Sequence, residues 1–234
     1  MNLKFPSNTH NFVFIGESGS GKTELSANLA LSLAKTQDKQ VYFIDMDQTK
    51  MLFRARDFSN ILKQGNVNLP NMPELMDSPL VPDGVTNLLQ DDNIICVMDV
   101  GGNALGASMI GQYATIFATK NTKFYYVINP CRSFSSNIND IEESFKTIIH
   151  VARIPEEKVE FISNPYLGTY TTPELILDYH KGLEENLAKR NWHVSYLSTA
   201  PQYAEKIQKV VHCPVLCIDL YVQQLYTCSR EFYS

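Results

Sequence analysis

The stretch that decides the fold is Gly16-Glu17-Ser18-Gly19-Ser20-Gly21-Lys22-Thr23, which follows the apolar run Asn11-Phe12-Val13-Phe14-Ile15. The apolar run predicts a buried strand, and the residues after Gly21 continue with helical spacing. The eight residues match the pattern G-x-x-x-x-G-K-[ST] in the strand-turn-helix context that the pattern requires. We call residues 16–23 the phosphate loop.

The chemistry of the phosphate loop explains its spacing. Glycines allow the backbone to curl so that consecutive N–H groups point inward at phosphate oxygens, and the positive end of the next helix adds to the attraction. Lys22 is expected to bridge the β- and γ-phosphates of a nucleotide, and the Thr23 hydroxyl to bind Mg²⁺. The alternative is a glycine-rich turn of purely structural role.

Short β-rich runs alternate with longer helical patterns along the rest of the chain. The runs are residues 11–15, 41–44, 94–98, 124–128, 159–163, 193–197 and 215–220. The helical patterns are residues 22–35, 83–90, 105–119, 137–151, 173–190 and 202–210. Several runs are apolar at consecutive positions, as in strands covered on both faces. The alternation predicts a doubly wound, mostly parallel α/β sheet with helices on both faces.

Residues 65–82 interrupt this alternation with four prolines and are expected to form a loop or insertion. No Gly/Ser-rich linker, internal repeat or low-complexity tract divides the chain. We therefore expect one P-loop nucleotide-binding domain over residues 1–234.

Composition and charge exclude several classes of protein. With 44% hydrophobic and 19% charged residues, the 234-residue chain can bury a substantial core. A net charge of −5 and the lack of a Lys/Arg run argue against nucleic-acid binding. The longest apolar runs fall far short of the ~20 residues that span a bilayer. Residues 1–16 lack a signal-peptide pattern and the five cysteines lack disulfide spacing, so we expect a cytoplasmic protein.

An acidic residue follows the predicted strand at residues 94–98. This run ends in Asp99, the arrangement of a Walker B aspartate that holds Mg²⁺. Gly101 and Gly102 come next, and a backbone N–H at Gly102 could reach a γ-phosphate and respond to its loss. The alternative is that Asp99 only caps the segment that follows.

Two further carboxylates, Asp45 and Asp47, follow the predicted strand at residues 41–44. The carboxyl ends of parallel strands form the edge where ligands bind in open α/β sheets. One carboxylate could hold a metal-bound water and the other could orient an attacking water. They could also be solvated turn residues.

These elements, through Ile44-Asp45-Met46-Asp47 and Val97-Met98-Asp99-Val100-Gly101-Gly102, resemble the MinD/ParA-like (SIMIBI-class) branch of P-loop ATPases. That group includes partitioning ATPases, nitrogenase iron-protein relatives and CooC-type metallocentre maturation factors. More narrowly, the chain is similar to a MinD-like ATP-binding group of anaerobic Firmicutes, through Asp99-Val100-Gly101-Gly102-Asn103-Ala104-Leu105-Gly106-Ala107 and Ser163-Asn164-Pro165-Tyr166-Leu167-Gly168-Thr169. The resemblance covers most of the chain and implies ATP and Mg²⁺ as cofactors.

The resemblance also implies roles for individual residues. Asp45 and Asp99 would serve the Mg²⁺ shell with Thr23, and Asp47 would position the hydrolytic water. Lys22, Asp47 and Asp99 are then the candidate catalytic residues.

Two further segments match the family's nucleotide contacts. Asn164 matches the asparagine that reads adenine, and Thr199-Ala200-Pro201 matches the loop beside the base and ribose. An Asn-Pro pair is also an ordinary turn former. The candidate nucleotide-binding residues are Gly16, Glu17, Ser18, Gly19, Ser20, Gly21, Lys22, Thr23, Gly102, Asn164 and Pro201.

The chain departs from the family at two places. Many relatives carry a second lysine early in the loop that reaches the nucleotide of a dimer partner, whereas this chain has Glu17. Either hydrolysis is slow, or another cation takes the place of this lysine. Arg54 and Arg56 are candidates for that cation. The alternative is that both are solvated arginines on the face of a helix. The other departure is the C-terminal segment 222–234, which lacks the amphipathic membrane helix of MinD.

The sequence therefore predicts a Mg²⁺-dependent, ATP-binding and ATP-hydrolysing switch that works as a homodimer on a protein client. It predicts no membrane or nucleic-acid partner. One alternative is a small-molecule kinase or ATP-dependent ligase, such as dethiobiotin synthetase-like proteins. Another is a module that binds ATP without hydrolysing it.

Overall fold

The computed structural model of the protein describes residues 5–46, 52–70, 84–102 and 104–221, with the backbone alone for residues 52–57 and 104–105. Its strands form one parallel sheet in the order β3-β2-β4-β1-β5-β6-β7-β8. They are β1 (Asn11–Ile15), β2 (Gln40–Met46), β3 (Val67–Asn68), β4 (Ile94–Val100), β5 (Thr122–Ile128), β6 (Val159–Ser163), β7 (Val194–Thr199) and β8 (Val215–Cys217).

The helices connect these strands. They are α1 (Lys22–Thr36), α2 (Leu52–Gln64), α3 (Val85–Gln90), α4 (Ala104–Gly111), α5 (Ala114–Thr119), α6 (Ile138–Ala152), α7 (Pro173–Ala188) and α8 (Pro201–Gln208). Among the described helices, none is long and apolar enough to cross a membrane.

Local chemistry sets the starts of α6 and α7, two long helices in the later part of the chain. The side chain of Asn137 accepts hydrogen bonds from the first amides of α6. Thr172 caps α7 in the same way, and Pro173 occupies the first helical position, where its missing N–H costs nothing.

Successive residues of β1 belong to two different core layers. Val13 and Ile15 pack in the layer that contains side chains of α3 to α8. Phe12 and Phe14 pack in the opposite layer, with α1 and α2. All four side chains are at most 1% exposed, and burying each contributes about 1.5–3 kcal/mol. The predicted doubly wound α/β fold with helices on both faces is thus confirmed.

Some predicted boundaries were wrong. The helix predicted at residues 105–119 is two helices, since α4 ends at Gly111 and α5 begins at Ala114. At Gly111 an added Cβ would lie 2.7 Å from the carbonyl oxygen of Val151 in α6. The strand predicted at residues 215–220 ends at Cys217. In the predicted loop 65–82, Val67 and Asn68 form β3, a two-residue edge strand paired with β2; such a short strand leaves little pattern. Residues 71–83 lie outside the described residues.

Because the strands are parallel, their carboxyl ends meet at one edge of the sheet. The phosphate loop leaves β1 at this edge, and the loops after β4, β5, β6 and β7 start beside it. Open α/β sheets bind ligands at this edge.

Candidate nucleotide-binding site

The phosphate loop turns from β1 into α1 through three glycines with positive φ angles: Gly16 (134°), Gly19 (75°) and Gly21 (100°). Gly21 caps α1 without any side-chain hydrogen bond to the first amides of the helix. The N-terminus of a helix favours an anion, because its first N–H groups and the positive end of the helix dipole point towards it.

Close packing also requires glycine at both ends of the loop. A Cβ atom on Gly16 would lie 2.4 Å from the carbonyl oxygen of Val127 in β5. A Cβ atom on Gly21 would lie 2.1 Å from Nδ2 of Asn164. The loop therefore lies against both β5 and the segment that follows β6.

Lys22 is only 5% exposed, and its side chain lies over the loop. Its Nζ donates a hydrogen bond of 2.7 Å to the carbonyl oxygen of Glu17. A buried ammonium group held across an anion-binding loop is placed to neutralise phosphate charge.

The predicted metal-binding residues come together. Oγ1 of Thr23 donates a hydrogen bond of 2.6 Å to Oδ2 of Asp99, which is 1% exposed. Asp45 is the register partner of Asp99 on the neighbouring strand β2. One hydroxyl and two carboxylates are oxygen donors of the kind that Mg²⁺ takes beside phosphates and waters.

The donor set of one hydroxyl group and two carboxylates fits Mg²⁺. Over the described part of the chain, no three His, Cys, Asp or Glu side chains form a group that could hold a metal ion. Mg²⁺ commonly binds through one or two protein carboxylates while phosphates and waters complete its shell. The Thr23, Asp45 and Asp99 arrangement has this open character.

Three predicted functional side chains cannot be placed. Asp47 lies outside the described residues. Arg54 and Arg56 lie on α2, but their side chains belong to the part of that helix described by backbone alone. Their proposed roles stay predictions.

The loop after β4 packs directly on the phosphate loop. A Cβ atom on Gly102 would lie 2.3 Å from the backbone nitrogen of Ser18 and 2.7 Å from the carbonyl carbon of Glu17. Only glycine permits this approach of two backbones. Residues after Asp99 are therefore in direct contact with the loop that would surround the phosphates.

Asn164 occupies a place that sequence reasoning did not foresee. Its Nδ2 donates a hydrogen bond of 2.7 Å to the carbonyl oxygen of Ser20, and its Oδ1 accepts one of 2.8 Å from Ser198. The side chain is 5% exposed. This geometry holds the phosphate loop in place; the adenine-reading role stays a prediction.

The segment Thr199-Ala200-Pro201 lies at the same edge. Thr199 ends β7, and Pro201 is the first residue of α8 and is exposed. Oγ1 of Thr199 is buried and has no hydrogen-bond partner among the described residues. Contact with base or ribose stays a prediction for Pro201.

Glu17 is anchored to α6 through a chain of hydroxyl groups. Its carboxylate accepts a hydrogen bond from Ser144, whose Oγ lies 3.0 Å from the hydroxyl oxygen of Tyr126. Burial raises the pKa of Tyr126, so its phenol stays protonated and can donate to Ser144. At the position where the sequence resemblance leads us to expect a lysine, the chain carries an acid bound to another part of the same chain.

A cavity of about 500 Å³ opens between the phosphate loop and α6. It is lined by Glu17, Gly102, Phe134, Asp140, Glu143, Ser144, Thr147 and Ile148. Its wall therefore includes both the phosphate loop and the loop after Asp99.

Sequence reasoning also missed Ser198 and Arg132. Ser198 supports Asn164, and Nε of Arg132 lies 4.0 Å from the point where a Cβ atom of Gly19 would be. Arg132 follows the strand at residues 124–128, and only the order of strands in the sheet shows that this strand lies beside β1.

Comparison with solved structures shows the same fold in proteins of low sequence identity. FtsY of Thermotoga maritima has a TM-score of 0.57 and 14% identity, over 85% of this chain and 65% of its own. Chloroplast FtsY of Physcomitrella patens has a TM-score of 0.54 and 13% identity, over 82% and 59%. The 54 kDa signal recognition particle protein of Aeropyrum pernix, solved with GDP, has a TM-score of 0.52 and 14% identity, over 83% and 42%. The chain thus spans less than two thirds of each of these chains.

Comparison by sequence gives the family. No curated protein matches the chain. The model of the CobQ/CobB/MinD/ParA nucleotide binding domain matches residues 12–201, a range that includes the phosphate loop, Asp45, Asp99 and Asn164. Together with the loop geometry and the parallel sheet, this match makes the chain a member of the CobQ/CobB/MinD/ParA nucleotide-binding domain family.

Proposed function

We propose that this protein is a Mg²⁺-dependent ATP-binding and ATP-hydrolysing switch that acts on a protein client. The observation that carries the proposal is the phosphate loop, with Lys22 lying across it and Thr23 bonded to Asp99. We also propose that the chain is related, within its family, to a MinD-like group of ATP-binding proteins from anaerobic Firmicutes.

The proposed catalytic residues act by positioning the phosphate tail, the metal ion and the attacking water. Loop amides and Lys22 would hold the phosphate tail, and Thr23, Asp45 and Asp99 would hold the metal ion. When bound, Mg²⁺ would neutralise phosphate charge. Asp47 orients the attacking water.

Contact between Gly102 and Ser18 supports the switch. A loop that packs on the phosphate loop senses any backbone shift that loss of the γ-phosphate causes. Because Gly102 follows Asp99 closely, the same loop is tied to the metal site. The client would recognise the two arrangements of this loop.

Hydrolysis is proposed to be slow. Glu17 is bound to Ser144 and carries the wrong charge to stabilise the nucleotide of a second copy. A nucleotide-linked homodimer would therefore lack the cation that a lysine gives at this position. If no other cation compensates, the protein holds ATP without turnover.

One observation favours a second candidate function. The cavity beside Glu17 and Gly102 adjoins the loop that would hold the γ-phosphate. A cavity of about 500 Å³ can receive a small-molecule acceptor. The protein would then be a small-molecule kinase or an ATP-dependent ligase.

The deciding experiment measures ADP and phosphate release from Mg·ATP without any acceptor, with Mg·GTP in parallel. Slow, stoichiometric release of ADP and phosphate from ATP, abolished in Asp99→Asn, agrees with the switch. Intact ATP still bound after hours indicates a binding module, and turnover of GTP alone contradicts the assignment of ATP. Light scattering with a non-hydrolysable ATP analogue tests the dimer, for which doubling of the mass is expected.

A further inference from the structure

Arg132 lies beside the phosphate loop, in the segment that follows β5. Its Nε is 4.0 Å from the position of a Cβ atom on Gly19, in the middle of the loop. The Arg132 side chain is exposed to solvent at the edge where the phosphate loop lies. A guanidinium group is therefore placed next to the middle of the phosphate loop.

The backbone of Arg132 is fixed, so this position does not depend on a chance loop conformation. Its N–H donates a hydrogen bond of 3.1 Å to the carbonyl oxygen of Asn129, and its carbonyl oxygen accepts one of 3.0 Å from Ser135. The side chain of Asn129 accepts a hydrogen bond from Cys131 and donates one to the carbonyl oxygen of Tyr166. The segment is thus anchored to the loop that follows β6.

The guanidinium of Arg132 has neither a hydrogen bond nor an ion pair within the described part of the chain. Arg190 shows the contrast, because its guanidinium is bound to Glu142 and Asn139. A fixed backbone, an uncommitted guanidinium and an adjacent anion-binding loop together favour a ligand with negative charge. Guanidinium groups bind phosphate oxygens in a two-pronged, charge-assisted geometry.

We propose that Arg132 binds the phosphate tail of the nucleotide from within the same chain, and so provides the cation that Glu17 does not. The inference rests on the proposed function, since it requires a polyphosphate in the loop. It assigns the compensating role to the loop after β5 in place of Arg54 or Arg56. Charge from Arg132 is added to that of Lys22 without any contribution from a second copy.

Calorimetric titration with inorganic pyrophosphate and with Mg·ATP tests the inference. The variants are Arg132→Gln, Arg132→Lys and the matched control Arg153→Gln. Arg153 is an exposed arginine at the end of α6, before β6 and thus at the opposite edge of the sheet. Arg132→Gln and Arg153→Gln each remove one positive charge, whereas Arg132→Lys keeps it. A general electrostatic effect would therefore weaken binding in Arg153→Gln as well.

We expect Arg132→Gln to bind both probes about tenfold or more weakly, because a charge-assisted contact is lost. Arg132→Lys should recover part of the affinity, and Arg153→Gln should stay within about twofold of wild type. Thermal unfolding checks that each variant is folded. If Arg132→Gln does not fold, the affinity of Arg132→Lys is compared with that of wild type instead.

Wild-type affinity for pyrophosphate in Arg132→Gln would overturn the inference and leave the proposed function standing. A loss confined to Mg·ATP would also overturn it, because the guanidinium would then contact the base. A wild-type protein that binds neither probe would instead overturn the proposed function itself.

Discussion

The hydroxyl group of Thr23 donates a hydrogen bond of 2.6 Å to Asp99, a residue 76 positions further along the chain. This bond joins the first turn of α1 to the carboxyl half of β4. It forms because β1 and β4 are neighbours in the sheet, with Phe14 and Asp99 in register. The donors of the proposed metal site therefore already lie side by side.

Asp99→Asn tests this metal site. Asparagine keeps the size of the side chain and an oxygen that can accept from Thr23, but it removes the negative charge. We expect Mg²⁺ to strengthen nucleotide binding of the wild type, and to have little effect on the variant. The measurement is a titration with nucleotide in Mg²⁺ and in EDTA. Equal dependence on Mg²⁺ in both proteins would remove Asp99 from the metal shell.

Gly102→Ala tests the contact between the loop after β4 and the phosphate loop. The added methyl group would meet backbone atoms of Ser18 and Glu17, which cannot move aside as a side chain can. We expect a loss of about 1–3 kcal/mol in the free energy of unfolding, together with weaker nucleotide binding. Denaturant unfolding and calorimetry measure the two effects.

Gly182→Ala is the matched control. Gly182 lies within α7, and an added Cβ would have no atom within 4 Å. The substitution should stabilise the protein by about 0.5–1 kcal/mol, since alanine is the better helix former. If both variants behave alike, the close approach of Gly102 is not what requires glycine.

Asn164→Ala separates two roles for this residue. The substitution leaves the buried carbonyl oxygen of Ser20 without its hydrogen bond of 2.7 Å, which should cost about 1–3 kcal/mol of stability. Because the loop loses its support, affinity for pyrophosphate should fall along with affinity for ATP. Unchanged pyrophosphate affinity with reduced ATP affinity would support base reading in place of loop support.

Because His180 is buried, we expect the folded protein to lose stability in mild acid. The side chain of His180 is 2% exposed, and this burial lowers its pKa. Glu184, whose carboxylate lies 3.5 Å from Nε2 of His180, has the opposite effect on that pKa. Sγ of Cys213 lies 3.7 Å from the same nitrogen. A histidine whose pKa is lowered by folding contributes stability above its unfolded pKa of 6.5, and that contribution is lost as pH falls through the folded pKa.

The expected slope between pH 7 and pH 5 is at most about 1.4 kcal/mol per pH unit. Denaturant unfolding at several pH values measures it in wild type, in His180→Gln and in the exposed control His150→Gln. His180→Gln should show a flatter dependence than the other two. An equally steep dependence in all three would mean that other groups cause the acid sensitivity.

The parts of the site that are contiguous in sequence were predictable. Gly16, Gly21, Lys22 and Thr23 belong to one turn between a strand and a helix, so local chemistry determines their arrangement. Asp99 was predictable because it ends an apolar run, and parallel strands bring their carboxyl ends to one edge.

The contacts between distant segments were not predictable. Asn164 reaches Ser20 across 144 positions, and Ser144 reaches Glu17 across 127. Each contact depends on which strands are neighbours and on helix orientation, and neither leaves a periodic pattern in the sequence. Arg132 was missed for the same reason, since its proximity to Gly19 follows from β5 lying next to β1.

The most direct measurement is a calorimetric titration of Mg·ATP and Mg·GTP into wild-type protein, Lys22→Ala and Lys22→Met. Lys22→Met keeps the buried aliphatic stem, so loss of binding there cannot be attributed to a cavity. We expect saturable binding by wild type and none by either variant, with thermal unfolding showing that all three proteins are folded. Undiminished affinity in the variants, or a wild type that binds neither nucleotide, would contradict it.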